Sequence, residues 1–148
     1  MPLTGTYSRA VDQKGRLPLP RPLREAMKCP TGGVLYLAPG TDGSLALYTE
    51  ESFTRLAERV DQASPASVDV RAFTRLFYAR AHRVELDQQG RIRIPAELAE
   101  LVELGKDAVL LGVQDHVEIW PTDRWKQYLA ERQKDFDKIA EAALRTVR

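Results

Sequence analysis

Apolar and polar positions along this chain alternate with a period of two in short runs, and longer stretches between them repeat at helical spacing. Leu17 and Leu19 alternate with Arg16 and Pro18, and Ile92 and Ile94 alternate with Arg91 and Arg93. Successive side chains of a strand face opposite sides, so these aliphatic pairs are expected to face a core and the arginines to face out. "VLYLAPGTDGSLALY" from Val34 and "AVLLGVQDHVEIW" from Ala108 each read as a strand pair, joined by a Gly-rich loop and by "QDH". Pro20 and Pro95 end strands and suit the first turns of "RPLREAM" and "AELAELVEL". Thr49 is placed to cap "EESFTRLAERV", whose first turn carries Glu50 and Glu51. Ser64-Pro65 is expected to open "ASVDVRAFTRLFYARA", and Thr122 to cap a long tail helix with Trp125, Leu129, Phe136, Ile139 and Ala143 along one stripe. These stripes read as core or interface. Trp120 and Trp125 are expected to pack together at a strand-to-helix corner.

The pattern occurs twice. "DQKGRLPLP" from Asp12 returns as "DQQGRIRIP" from Asp87, and seven of fourteen positions match without a gap between Asp12–Glu25 and Asp87–Glu100. At the same offset Val34 meets Val109, and after a short insertion "LALY" aligns with "VEIW" and Phe53 with Trp125. Each half then reads strand, tight turn, strand, short helix, strand, turn, strand, helix. In both turns an Asp can bond the backbone ahead of it, and the Gly supplies a positive φ.

Composition narrows the class. With 43% apolar and 29% charged residues the chain is ordinary for a globular protein, and no apolar run is long enough for a membrane span. The first residues contain no apolar core of a secretory signal. Cys29 is the only cysteine, so no intrachain disulfide can form, and a cytoplasmic location is expected. The net charge of +1 is uninformative, but its distribution is not. Residues 1–30 hold six basic against two acidic side chains, residues 31–70 two against six, and residues 71–100 six against four. Both positive blocks contain a copy of the repeated motif, which is the footprint of a phosphate-binding face.

"GTY", "DQKGRLPLP", "LFYARAHRVELDQQGRIRIP" and "VLLGVQDHVEIW", taken together from Gly5 to about Phe136, resemble the MraZ family of bacterial transcriptional regulators. The resemblance implies an α+β fold: a tandem swapped-hairpin (AbrB-like) β-barrel formed by two homologous halves, with flanking helices. The halves are expected at residues 1–80 and 81–148. It further implies a ring-like homo-oligomer, nucleoid-associated, that binds double-stranded DNA at promoter direct repeats and represses its own division and cell-wall gene cluster. The family's Asp-x-x-x-Arg contact motif falls on Asp12 and Arg16, and on Asp87 and Arg91. Lys14 fills the family's usual Lys position, whereas Gln89 departs from it, so the halves need not contribute equally. The Pro-Leu-Thr opening also departs from the family's usual one.

The chemistry suits DNA. An arginine fork donates two parallel hydrogen bonds to guanine, a contact worth ~1–3 kcal/mol of discrimination. Asp12 and Asp87 are expected to hold Arg16 and Arg91 in place, reducing the entropy lost on binding. Arg9, Lys14, Arg83 and Arg93 are then expected to contact phosphates, which position without reading sequence. No cofactor or metal is expected: His82 and His116 have no partner at ligand spacing and read as solvated turn or edge residues, and "GTDGS" lacks the Lys of a phosphate loop. An enzyme is therefore not expected. The rival reading is a ring-forming scaffold that binds protein partners and no specific DNA; salt dependence separates the two.

Overall fold

The computed structural model describes residues 2–147. The first half contains β1 (Thr6–Ala10), β2 (Arg16–Pro18), α1 (Arg21–Met27), β3 (Val34–Pro39), β4 (Leu45–Thr49), α2 (Glu50–Asp61) and α3 (Val68–Tyr78). The second repeats the order as β5 (His82–Glu85), β6 (Arg91–Arg93), α4 (Ala96–Val102), β7 (Asp107–Val113), β8 (His116–Pro121), α5 (Thr122–Arg132) and α6 (Phe136–Arg145). The fold is α+β.

Six strands form one antiparallel sheet in the order β1-β7-β8-β4-β3-β5, and β2 pairs with β6 in a separate ribbon. The two halves are interlocked: β1 of the first pairs with β7 of the second, and β5 of the second with β3 of the first. The large sheet does not close on itself, and β1 and β5 are its two edges.

Alternation along the strands decides what each face covers. Leu35, Leu37, Leu45, Leu47, Leu110, Val117 and Ile119 point to one side and are almost fully buried. They meet Leu17 and Ile92 of the ribbon, Leu23 of α1, and Leu98 and Val102 of α4 in a single core. Tyr36 and Tyr48 point to the opposite side, where Phe53 of α2 stacks on Tyr36 at 4.6 Å and Phe77 of α3 meets Tyr48 edge-on at 6.1 Å. On the same side Val109, Leu111 and Trp120 lie under Trp125 and Tyr128 of α5. The Trp120–Trp125 ring centroids are 5.3 Å apart, as the corner packing requires. The sheet is thus a middle layer, with the ribbon, α1 and α4 below and α2, α3 and α5 above.

Several expectations need correction. Each Asp-x-x-Gly turn links strands that then separate instead of zipping into a hairpin, because β1 and β5 are drawn into the large sheet. The Thr49 hydroxyl caps α2 by accepting the Ser52 N–H at 3.1 Å. The cap of α3, however, is Ser67 accepting from Val70, not the Ser64-Pro65 step. Pro121 occupies the cap position of α5, which moves Thr122 inside the helix and leaves its buried hydroxyl without a partner. The long tail helix is broken by a 3-10 turn at Gln133–Asp135. Pro20 and Pro95 stand at the cap positions of α1 and α4 with extended backbone angles, one residue before the helical turn.

Candidate nucleic-acid interface

The two turns are built alike, and aspartate is the residue that builds them. In the first, the Asp12 Oδ1 atom accepts the N–H groups of Lys14 and Arg16, both at 2.9 Å, while Oδ2 accepts the Arg16 Nε–H at 2.6 Å. In the second, Asp87 Oδ1 accepts from Gln89 and Arg91, both at 2.9 Å, and Oδ2 accepts the Arg91 Nε–H at 2.9 Å. One carboxylate thereby ties the loop with one oxygen and aims a guanidinium with the other. Asparagine could tie the loop, but it lacks the charge that holds the arginine. The turn closes when the Gly15 N–H donates to the Asp12 carbonyl at 3.0 Å, and the Gly90 N–H to Asp87 at 3.1 Å. Both glycines have φ near +75°, a conformation that a side chain strains.

Backbone N–H donation from Arg16 and Arg91, ahead of the arginine side chains, holds the Asp12 and Asp87 carboxyls below the usual carboxylate range. A depressed carboxylate pKa gives a contribution present above the unfolded value and lost only as pH falls through the folded one. The anchors are accordingly intact at neutral pH.

The ribbon sets one turn at each of its two ends. Its register pairs Arg16 with Arg93, Leu17 with Ile92, and Pro18 with Arg91. Leu17 and Ile92 are fully buried, which turns Arg16, Arg91 and Arg93 to the outer face. Arg91 Nη1 also lies 4.0 Å from Asp12 Oδ2, so one half's arginine leans toward the other half's anchor. With Nε engaged by aspartate, the terminal nitrogens of Arg16 and Arg91 keep the paired-donor edge that recognises guanine or phosphate. Like charges directly opposite one another destabilise a strand pair, so the Arg16–Arg93 pairing suits a surface that meets an anion.

The structure thus gathers Asp12, Lys14, Arg16, Asp87, Arg91 and Arg93 about one ribbon. Arg9 and Arg83 stand on β1 and β5, the strands that lead into the turns. The first lies over the Tyr7 ring at 5.7 Å, and the second is paired with Glu85 at 3.3 Å. Arg24 of α1, which the repeat does not single out because its counterpart is Ala99, lies against the second turn.

The histidines are not simply solvated. His82 bonds Glu97. His116 is half-buried, with Nδ1 2.8 Å from Asp115 and Nε2 3.2 Å from Glu118, and its ring stacks on Tyr48. The Glu118 carboxylate, then Asp115, favours the imidazolium and raises its pKa against the opposing effect of burial. No helix of the described residues is long and apolar enough to cross a membrane.

A doubled turn–strand unit that interlocks through its own sheet, with one cationic ribbon between the two anchors, defines a tandem-repeat protein with a single composite surface. The family model described as "MraZ protein, putative antitoxin-like" matches this chain twice, over residues 3–76 and 77–147. The chain belongs to the MraZ family. It is 39% identical over 137 residues to the transcriptional regulator MraZ of Heliobacterium modesticaldum, covering 93% of each chain. The transcriptional regulators MraZ of Lactiplantibacillus plantarum (39% identity, 93% of this chain and 94% of that one) and Nocardia farcinica (38%, 95% of each) are similarly close.

Proposed function

We propose that this chain is a DNA-binding transcriptional regulator, not an enzyme, and that the β2–β6 ribbon with its two anchored turns is its reading surface. The observation that carries this reading is the ribbon register: three arginines share the outer face of a three-residue strand pair whose inner face is fully buried. Arg16 and Arg91 read base edges, held by Asp12 and Asp87. Lys14 and Arg93, with Arg9 and Arg83 farther out, meet phosphates. The names of the relatives agree with this class of function.

The finer reading follows the family. The open sheet and the ribbon, continuous through the two turns, together make up the tandem swapped-hairpin barrel, and the 80/81 division separates repeats that fold as one unit. The operator consists of short direct repeats upstream of the protein's own division and cell-wall gene cluster, which it represses as a cytoplasmic, nucleoid-associated protein. A ring-like homo-oligomer presents several ribbons at once, and linked readers multiply affinity when operator spacing matches theirs. Support for assembly comes from exposed apolar side chains on two different helices: Val68, Phe73 and Leu76 of α3, and Phe136, Ile139 and Leu144 of α6. Patches on different elements favour head-to-tail contacts, which close into rings.

Hydroxyl-radical footprinting of the fragment upstream of the protein's own gene tests this reading. Protection should fall on short repeated elements and fade with added salt through counterion release. No protected element, or protection indifferent to salt, contradicts it and leaves the scaffold reading.

A further inference from the structure

The two ends of the ribbon have the same backbone and different cations. At the first turn stand Lys14, Arg16 and, across the ribbon, Arg93. At the second, the counterparts of Lys14 and Arg93 are Gln89 and Pro18, so the motif there supplies Arg91 alone. A residue from outside the motif makes up the difference. The Arg24 Nε–H donates to the Leu19 carbonyl at 3.1 Å, which draws the side chain off α1 toward the second turn. Its guanidinium lies over Gly90: a methyl on that glycine would stand 2.9 Å from both Cζ and Nη1. At the first turn, a methyl on Gly15 would meet only the Ile94 carbonyl at 3.2 Å. The Arg24 counterpart is Ala99, so nothing covers the first turn in this way.

Among the described residues, no carboxylate pairs with Arg24, whereas Arg21 on the same helix is paired with Glu25 at 2.8 Å. Arg24 therefore keeps its terminal donors and its charge beside the turn. The first turn keeps a flexible lysine, and the second keeps a planar fork fixed by a backbone carbonyl.

We propose that Arg24 is a phosphate-contact residue of the second turn, filling from the first half's helix the place that Gln89 leaves without a cation. The proposal rests on the reading of the ribbon as a DNA interface. It follows that the ribbon is polar and that each copy meets a direct-repeat element in one orientation.

The test is fluorescence anisotropy of the full chain with the promoter fragment and with an unrelated duplex, over a fourfold salt range. The variants are Arg24→Ala, Arg24→Ala combined with Gln89→Lys, and Arg21→Ala, each checked for unchanged oligomeric size. One phosphate contact contributes about 0.9 to the log–log salt slope. Losing it should make the affinity deficit of Arg24→Ala roughly threefold larger at the low-salt end than at the high-salt end. The loss should be similar on both duplexes, since phosphate contacts carry no sequence information. Gln89→Lys should restore both slope and affinity, whereas Arg21→Ala should match wild type. A brace that merely supports Gly90 would not be rescued by a lysine two residues from Asp87. An unchanged slope in Arg24→Ala, or failure of Gln89→Lys to restore it, overturns the proposal. If the same unchanged slope is seen where Arg16→Ala/Arg91→Ala abolishes promoter binding, the ribbon reading stands and only Arg24 is misassigned. If wild type binds neither duplex, both fall.

Discussion

The first and second halves share the backbone of their turns and short helices, yet they differ at particular side chains that leave the core. Both turns use one aspartate in the same three-bond pattern, and both short helices end on a left-handed residue that is not glycine, Lys28 and Glu103. Elsewhere on the surface the correspondence breaks at single residues. Lys14 corresponds to Gln89, Pro18 to Arg93, and Arg24 to Ala99 in the repeat. The last helix of each half differs as well: α3 buries Phe77 among Tyr48, Phe53 and Tyr78, whereas α6 buries no residue. The constraint that keeps two copies alike is packing, since each half completes the other's sheet. The surface is free of that constraint, so it is where the halves can divide a task.

The largest effects should come from the shared core and should be equal. Leu17 and Ile92 are cross-strand partners with no exposure, so Leu17→Ala and Ile92→Ala should each cost about 2–5 kcal/mol. Urea denaturation should find the pair non-additive, because they share one contact. A large cost in one half only would break the equivalence.

The helices sharpen the contrast. Phe77→Ala should cost about 3–5 kcal/mol through the cavity left beneath α3. Phe136→Ala, at 65% exposure, should change the intrinsic stability of the chain by less than about 0.5 kcal/mol. It should instead reduce the assembly size seen by sedimentation velocity. A stability loss matching that of Phe77→Ala would show that α6 packs within its own chain.

A smaller effect distinguishes the halves by pH. His116 sits between two carboxylates in the second half, and its counterpart in the first half is Ser44, at the loop insertion. Its pKa is raised in the fold, so its stabilisation is complete below the unfolded value of about 6.5 and lost as pH rises through the folded value. The melting temperature of wild type should therefore fall as pH rises above about 6.5 and through the folded value, and His116→Gln should flatten that fall. The neighbouring Tyr48 hydroxyl, pushed up to about 12 chiefly by burial, does not titrate in this window. A profile unchanged by His116→Gln would assign the pH dependence elsewhere.

The order of elements and the outward arginines were legible because hydrophobic period and turn chemistry are local. Partner choice was not. Alternation says which side of Leu17 faces the core, but nothing in it distinguishes pairing with β1 from pairing with β6. The tail-helix break at Gln133–Asp135 carries no proline or glycine, so periodicity ran straight through it. Thr122 looked like a cap because Thr commonly is one; Pro121 took the position with its fixed φ. Arg24 escaped notice for a related reason. Repeat comparison highlights what recurs, and Arg24 stands at a position where the repeat differs.

The central claim, that the two anchored arginines read DNA from one ribbon, is tested most directly by promoter-fragment anisotropy with Arg16→Ala, Arg91→Ala and the double variant at constant assembly size. A lost bidentate contact of ~1–3 kcal/mol should weaken specific binding by roughly 5- to 150-fold in each single variant. The double variant should bind the promoter no better than an unrelated duplex. Wild-type affinity and salt slope in the double variant would contradict the account and reduce the paired motif to turn architecture.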